Sequence, residues 1–195
     1  VITALANSEG LFHLDTRHLS HFYLTMNGGL RPILLSSGLR DGDRVLTCDL
    51  SNPDIKDEDG KEALRNDEVH IRRTRFIYRG CMFVRVTLTS YQDVTDEVVL
   101  ELHFASDFAD LFEVRGAKRP RRGTMLPPKV SRDTVVLGYA GLDGLTRYTS
   151  LRFDPAPVRL TENFAEGRFR RPPRKSAKLM IESACAELDN EESLR

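Results

Sequence analysis

Tryptophan is absent from the 195-residue sequence, and other features that mark common classes of protein are also missing. No apolar run approaches the ~18–20 residues that a membrane-spanning helix needs, and no signal peptide is visible. Lysine plus arginine and aspartate plus glutamate number 29 each, so no global field attracts nucleic acid or an anionic membrane. We therefore expect neither as a partner. The lack of tryptophan also disfavours a sugar-binding platform, since large flat rings cover the apolar faces of pyranoses.

Cysteine is scarce, and its count of three is odd. Cys48 lies in a predicted strand with Leu46 and Leu50 on its own face, as a small core residue would. An odd count does not suit a disulfide framework, so we expect reduced thiols and a cytoplasmic location. The sequence also lacks a glycine-rich phosphate loop, a Gly-x-Ser-x-Gly motif and a Cys-x-x-Cys motif. We expect no cofactor and no metal.

Short segments in which apolar and polar residues alternate dominate the rest of the sequence. The clearest are residues 82–88 and 98–104, where every second residue is apolar. A period of two is typical of antiparallel strands with one buried face. About a dozen such segments are joined by Gly, Pro, Asn and Asp turns. We predict an all-β fold, a large antiparallel two-sheet β-sandwich of the supersandwich-like type with few short helical turns.

The sandwich is predicted to be a single domain over residues 1–184, with residues 185–195 beginning a polar linker. Asn27-Gly28 and the segment Gly141–Gly144 each separate two apolar runs, which predicts a hairpin at both places. Residues 51–68 are rich in charge and lack apolar periodicity. They predict an exposed loop with a helical turn near residues 62–65.

The stretch Phe104–Gly116, FASDFADLFEVRG, ends a predicted strand and then changes period. Its apolar residues recur at the spacing of a helical turn. Asp107 is the N-cap candidate, with Asp110 three residues later. We expect a corner whose charged side chains face outward while its apolar side chains face inward: Asp107, Asp110, Glu113 and Arg115 outward, and Phe108, Leu111 and Phe112 inward.

Three groups of residues are candidates for chemistry, and each has a plainer explanation. The acids at 107–113 could form a carboxylate pair for glycoside hydrolysis, but almost any acidic turn satisfies the ~5–10 Å spacing. His13, His18 and His21 do not converge on one strand as metal ligands must, which favours surface or hydrogen-bonded histidines. The basic run at 118–122 has no aromatic residue, the run at 168–175 has only Phe169, and the net charge of the chain is zero, whereas nucleic-acid sites usually combine aromatic residues with net positive charge. Solvated loops or domain-facing patches explain them better.

Three long motifs are spread over almost the whole chain. Residues 10–20 read GLFHLDTRHLS, residues 107–116 read DFADLFEVRG, and residues 141–155 carry Asp-Gly-x-x-Arg and a closing Phe-Asp-Pro. The segments LLSS at 34–37 and TCDLSNP at 47–53 lie between them. Together they resemble the N-terminal domain of bacterial and archaeal glycogen-debranching enzymes, in which the first motif is Gly-Leu-Phe-x-x-Asp-Thr-Arg-x-Leu-Ser. His13 and His18 fall on variable positions of that motif.

The family resembles amylo-α-1,6-glucosidases, in which an N-terminal β-sandwich is joined to a C-terminal helical toroid that carries the catalytic carboxylates. The resemblance implies that this chain is the non-catalytic sandwich, with no catalytic residues of its own. Its partners would be the catalytic domain of the same polypeptide and, through the whole enzyme, an α-glucan such as glycogen or dextrin. It further implies that eight motif residues face that domain or the substrate cleft: Asp15, Arg17, Asp107, Asp110, Glu113, Arg115, Asp143 and Arg147.

Two other hypotheses stay open at this point. The chain could be an independent α-glucan-binding module that uses exposed tyrosines, with Tyr139 and Tyr148 in predicted strands. It could also be a small enzyme that uses the acids at 107–113. The second hypothesis predicts a carboxyl group with a raised pKa in a deep pocket.

Overall fold

The structure is a computed structural model that describes residues 2–3, 8–56, 60, 62–90, 96–171 and 176–189. It is built almost entirely from antiparallel strands and confirms the predicted β-sandwich. The strands are, in chain order, β1 (Ile2–Thr3), β2 (Leu11–His13), β3 (Thr16–Leu19), β4 (His21–Met26), β5 (Ile33–Arg40), β6 (Val45–Ser51), β7 (Ile55–Lys56), β8 (Glu62–Leu64), β9 (Val69–Tyr78), β10 (Cys81–Ser90), β11 (Asp96–Ala105), β12 (Thr124–Val130), β13 (Thr134–Ala140), β14 (Leu145–Asp154), β15 (Arg159–Leu160), β16 (Phe164–Arg171) and β17 (Ser176–Asp189). A single four-residue helix, α1 (Leu111–Val114), interrupts them in the described part of the chain.

Two large sheets form the sandwich. The larger sheet has eight strands in the order β12-β13-β14-β17-β10-β9-β6-β5, and the smaller has five in the order β1-β4-β11-β16-β15. Two small hairpins, β2-β3 and β7-β8, complete the described strands. No helix in the described residues has the length and apolar character needed to cross a membrane.

The core lies between the two large sheets and is built from the predicted alternation. On β10 the inward residues are Met82, Val84, Val86 and Leu88, and all four are buried. On β11 the corresponding residues are also buried: Val98, Leu100, Leu102 and Phe104. The ring of Phe104 meets that of Phe153, from β14 of the opposite sheet, at 6.1 Å between centroids. Burying such side chains is worth about 1.5–3 kcal/mol each, which is why the pattern of period two determines the fold.

One predicted hairpin is confirmed and the other is wrong. The turn at Gly141–Gly144 joins the paired strands β13 and β14. Asn27 and Gly28 do form a turn with positive φ, but β4 and β5 on either side of it lie in different sheets. After a single bridge between Met26 and Leu30, Pro32 has no N–H to extend a ladder, so the chain crosses to the other sheet.

Two other segments differ from the prediction. Residues 185–189, assigned to a linker, continue β17 and pair with β14, so the strand extends past residue 184 to Asp189. The acidic composition of these residues suggested a solvated linker. In the strand, the charge of Glu187 is balanced by Arg147 on β14, 2.9 Å away. The helical turn expected near residues 62–65 is instead the strand β8, which pairs with β7 through buried Ile55 and Leu64. Residues 190–195 lie outside the described part of the chain.

The cysteine prediction agrees with the structure. Cys48 is buried in the core next to Leu50, as expected of a small core residue. Cys48, Cys81 and Cys185 are all free thiols.

Candidate functional site

The three motifs meet at one corner of the sandwich. The β2-β3 turn is tied to α1 by hydrogen bonds from Arg17 N–H to the Ala109 carbonyl and from Leu111 N–H to the Asp15 carbonyl, both 2.9 Å. A depression of about 300 Å³ lies beside them and is closed on its far side by the β13-β14 turn. We call the surface formed by residues 14–17, 107–123 and 139–147 the motif corner.

The helix α1 exists because its first turn is fully capped. Asp110 is the N-cap, and its carboxylate accepts hydrogen bonds from the N–H groups of Phe112 (2.8 Å) and Glu113 (2.9 Å). The Glu113 carboxylate accepts in return from Asp110 N–H at 3.1 Å, which completes a capping box. The predicted N-cap, Asp107, is therefore wrong by one turn. Asp110 takes that place because Glu113 stands at the third helical position, where it can reciprocate.

Asp107 instead forms an ion pair that links the first two motifs. Its carboxylate accepts hydrogen bonds from Arg17 Nε at 3.1 Å and from Arg17 Nη2 at 2.5 Å. The Arg17 side chain is only 10% exposed and that of Asp107 is 32% exposed. This two-pronged ion pair links β3 to the chain just before α1, and water screens it only in part.

The basic loop at 118–122, predicted to be a solvated loop or domain-facing patch, folds over the acids of the motif corner. Arg119 forms an ion pair with Asp110. Arg122 lies 3.1 Å from Glu113 and donates to the Asp107 carbonyl at 2.6 Å. Sequence reasoning missed these contacts, although an acidic run followed closely by a basic run was a usable signal. The acids thus have partners within their own chain.

The third motif forms its own ion pairs. The Asp143 carboxylate accepts two hydrogen bonds from Arg147, at 2.7 and 3.1 Å, and Arg147 also reaches Glu187 at 2.9 Å. The hydrogen bond from Arg147 holds the pKa of Asp143 below its ordinary value, against the effect of burial. The same contact raises the pKa of Arg147.

Asp110 is poorly suited to proton transfer. Burial raises the pKa of Asp110, but hydrogen bonds from backbone N–H groups and from Arg119 outweigh it and leave that pKa below its ordinary value. A general acid in glycoside hydrolysis needs a raised pKa, as a carboxyl group acquires in an apolar pocket. Asp110, one of the acids in the small-enzyme hypothesis, shows the opposite shift, which argues against a general-acid role for that residue.

The eight predicted site residues all lie in the motif corner, but only some of them line the depression. The depression is lined by Asp110, Glu113, Asp143 and Arg147. Arg17 and Asp107 do not line the depression and form an ion pair with each other. Asp15 lies in the exposed β2-β3 turn with a φ of 61°, and Arg115 is exposed at the C-cap of α1. The depression also contains Tyr139, which sequence reasoning considered only as a sugar contact.

Tyr139 packs against other residues of the motif corner. Its ring stacks on Phe108 at 5.6 Å between centroids, and the guanidinium of Arg122 lies 5.8 Å from its centroid. Its hydroxyl accepts a hydrogen bond from Gly123 N–H at 2.7 Å. Because the ring and the hydroxyl both have partners within the chain, Tyr139 is a poor platform for a sugar.

Three large apolar side chains surround the charged network and are exposed. Leu14, Phe112 and Leu142 are 66%, 64% and 67% exposed, and each comes from a different motif. Phe108 is buried, as predicted, whereas Phe112 was predicted to face inward and does not. Leu111, also predicted to face inward, is only half-buried, and no residue of α1 is fully buried. Adjacent residues of a helix point about 100° apart, so Leu111 and Phe112 cannot share one face. The Asp107, Asp110 and Glu113 side chains are partly exposed.

His18 is a buried structural histidine, in agreement with the prediction of surface or hydrogen-bonded histidines. Its Nδ1 lies 3.1 Å from the Thr149 hydroxyl and 3.2 Å from the Tyr148 carbonyl. Burial lowers the pKa of His18 to about 4, so the ring is neutral at pH 7. Within the described residues, no group of three or more His, Cys, Asp or Glu side chains could hold a metal ion.

Comparison with known proteins identifies a matching family and a solved structure with a similar fold. A family described as the N-terminal domain of some glycogen debranching enzymes matches residues 2–182. No curated protein matches the chain. Among solved structures, a protein assigned as a kojibiose phosphorylase from the human microbiome superposes with a TM-score of 0.58 at 10% identity. That match covers 90% of this chain but only 23% of the other, so this chain spans about a quarter of that relative.

Two other solved structures superpose less closely. The heparan sulfate lyase HepC from Pedobacter heparinus gives a TM-score of 0.42 at 10% identity, covering 85% of this chain and 24% of the lyase. A protein assigned as an aldose 1-epimerase from Escherichia coli K12 gives 0.39 at 10% identity, covering 82% and 70%.

Proposed function

Because this chain belongs to the family of N-terminal domains of glycogen debranching enzymes, we propose that it is a non-catalytic domain that docks on a catalytic domain through the motif corner. The catalytic domain would belong to the same polypeptide and carry amylo-α-1,6-glucosidase activity. The corner would help to shape its α-glucan cleft. A cytoplasmic location, which the cysteine content favours, stays a prediction.

The observation that carries this proposal is the exposure of one large apolar side chain from each motif around a rigid polar network. Leu14, Phe112 and Leu142 are each about two-thirds exposed. A single exposed apolar residue needs no explanation, but two leucines and a phenylalanine exposed on one corner are typical of an interaction site. Interfaces between domains combine such apolar anchors with polar groups, as this corner does.

The ion pairs supply the rigidity that docking needs. The Arg17–Asp107 pair joins β3 to the segment before α1, the capping box fixes α1, and the ring of Tyr139 on β13 stacks on Phe108. The partner domain would therefore meet a preformed surface, and little conformational entropy would be lost on docking. The lowered pKa values of Asp110 and Asp143 suit carboxylates that keep their charge beside arginines rather than ones that exchange protons.

The first test is enzymatic. The 195-residue chain is incubated with a branched limit dextrin, alone and together with the separately produced catalytic domain, and glucose release is measured. We expect release only when the catalytic domain is present. Robust release by the chain alone would refute the proposal of a non-catalytic domain.

The second test maps the surface. Binding of the chain to the catalytic domain is measured by calorimetry for Phe112→Glu, Leu142→Glu and, as a control, Val158→Glu, which changes an equally exposed residue away from the corner. Burying two-thirds of a Phe or Leu side chain is worth about 1–2 kcal/mol. We expect each corner variant to weaken binding at least about tenfold. Equal binding by corner and control variants would exclude the motif corner as the docking site.

A second candidate function, α-glucan binding by the chain itself, is favoured by a different surface. On the outer face of the five-stranded sheet, Tyr23, His103 and Phe164 lie directly opposite one another on β4, β11 and β16. Tyr23 stacks on His103 at 4.6 Å, and Phe164 meets His103 edge-on at 5.2 Å. With His21 and Asn163 they line an open depression of about 360 Å³. Aromatic rings beside hydrogen-bonding groups suit a sugar.

Titration with maltooligosaccharides, followed by NMR, tests this second function. Saturable shifts at Tyr23 and His103 that vanish in Tyr23→Ala would support it. The control is Tyr78→Ala, which changes an exposed tyrosine on the other sheet. An absence of saturable shifts would exclude it without bearing on docking at the motif corner.

A further inference from the structure

The edge strand β5 carries an inference that does not depend on the motif corner. We propose that β5 is a self-association edge, which pairs antiparallel with β5 of a second copy of the chain. It is the last strand of the eight-stranded sheet and, among the described residues, it pairs only with β6. All eight of its residues are exposed. An edge strand offers a row of unpaired N–H and C=O groups that can pair with another strand.

The other sheet edges are protected in ways that β5 is not. The opposite edge of the same sheet, β12, carries Pro127, Pro128 and Lys129. The edges of the five-stranded sheet, β1 and β15, are only two residues long. Proline, lysine and short length are the usual means of preventing edge-to-edge pairing.

By contrast, β5 is eight residues long, and Arg40 is its one charged residue. It has one irregularity, at Leu35, and Ser36–Arg40 then pair in regular register with β6. Four of its apolar side chains are between 42% and 58% exposed: Ile33, Leu34, Leu35 and Leu39. A monomer would leave both the backbone groups and these side chains in water.

The sequence around β5 is self-complementary when two copies run antiparallel. In a two-fold pairing centred on Ser36 and Ser37, Leu34 of one copy faces Leu39 of the other. Arg31, which precedes the strand, then faces the turn that follows it, where Asp41 and Asp43 are exposed. The Leu34–Leu39 pairs and the contacts of Arg31 with anions are favourable cross-strand pairs, and Ile33 faces the long side chain of Arg40. An in-register parallel pairing would instead place Arg31 against Arg31 of the other copy. The second copy therefore pairs with β5 in the antiparallel orientation.

Sedimentation equilibrium over micromolar to submillimolar concentrations tests the proposal. We expect a concentration-dependent rise from the 22.1 kDa mass of the chain to twice that value. Leu39→Lys should abolish the rise, whereas Val158→Lys, equally exposed but far from β5, should not. Circular dichroism verifies that both variants are folded. A chain that stays monomeric over the whole range would overturn the proposal.

A charge exchange tests the antiparallel register directly. Arg31→Glu alone and the double variant Asp41→Arg, Asp43→Arg alone each place like charges opposite one another and should weaken association at least tenfold. An equimolar mixture of the two variants restores both attractive contacts, so it should associate as the unchanged chain does. Association that is equally strong in both variants and in the unchanged chain would refute the antiparallel pairing of β5 with β5.

Discussion

Replacing Arg17 by methionine should destabilise the chain by removing the ion pair that joins the first two motifs. Two hydrogen bonds to Asp107, at 3.1 and 2.5 Å, are lost, as is one to the Glu9 carbonyl at 3.3 Å. Breaking a fully buried ion pair costs about 3–5 kcal/mol, and breaking a fully exposed one costs about 0–1 kcal/mol. With side chains 10% and 32% exposed, this pair lies between those limits, and we expect a loss of about 2–3 kcal/mol.

The assay is a double-mutant cycle with Arg17→Met, Asp107→Asn and the double variant, each unfolded in urea. We expect a coupling free energy of about 2 kcal/mol, since the asparagine can still accept from Ala109 N–H but carries no charge. In thermal unfolding, each kcal/mol corresponds to about 2–4 °C for a chain of this size, so Arg17→Met should lower Tm by about 4–12 °C.

The chain contains its own control pair. Arg152 and Asp133 lie 3.8 Å apart on the surface, with side chains 67% and 41% exposed. Their coupling should not exceed about 0.5 kcal/mol and should fall in high salt, whereas that of Arg17 and Asp107 should persist. A coupling below about 0.5 kcal/mol for Arg17 and Asp107 would refute the argument that this pair holds the motif corner together.

Three further predictions concern single residues. The folded-state pKa of His18, about 4, lies below its ordinary value of 6.5, so the unfolded chain binds the proton more tightly and stability falls as pH drops from about 6.5 to 4. Urea unfolding should show a loss of about 2 kcal/mol between pH 7 and pH 5, and His18→Gln should remove that component. Asp110→Ala should lose the cap of α1 and cost about 0.5–2 kcal/mol, whereas Asp110→Asn, which still accepts the N–H bonds, should cost less in the same assay. Burial raises the pKa of Cys185 to about 12, so mass spectrometry should find this thiol alkylated by iodoacetamide at neutral pH only after denaturation. Rapid labelling of the folded chain would contradict the raised pKa of this partly buried thiol.

The sequence predicted features that arise from neighbouring residues. The alternation on β10 and β11 identified the buried faces correctly, because side chains of a strand point to opposite sides whatever the strand pairs with. The hairpin at Gly141–Gly144 and the helical turn at α1 were likewise local, since φ preferences and capping involve residues at most a few positions apart. The three motifs indicated the family through the same kind of local pattern.

Pairing between distant segments was beyond that reasoning. Whether β4 pairs with β5 depends on which sheet has an open edge, and Asn27-Gly28 contains no information on that. The exposure of Phe112 depended on how a one-turn helix lies against the body, and the engagement of Arg119 and Arg122 depended on where their loop folds.

The sequence alone therefore determined an all-β sandwich, its inward faces and the motifs that place it in its family. The sequence also predicted a corner at Phe104–Gly116, but tertiary structure decided that its carboxylates are held by Arg17, Arg119 and Arg122. Tertiary structure also decided that β5 is left as an open edge. The physical reason is that burial and charge pairing are set by distances through space, and a contact across 90 residues leaves no periodic trace along the chain.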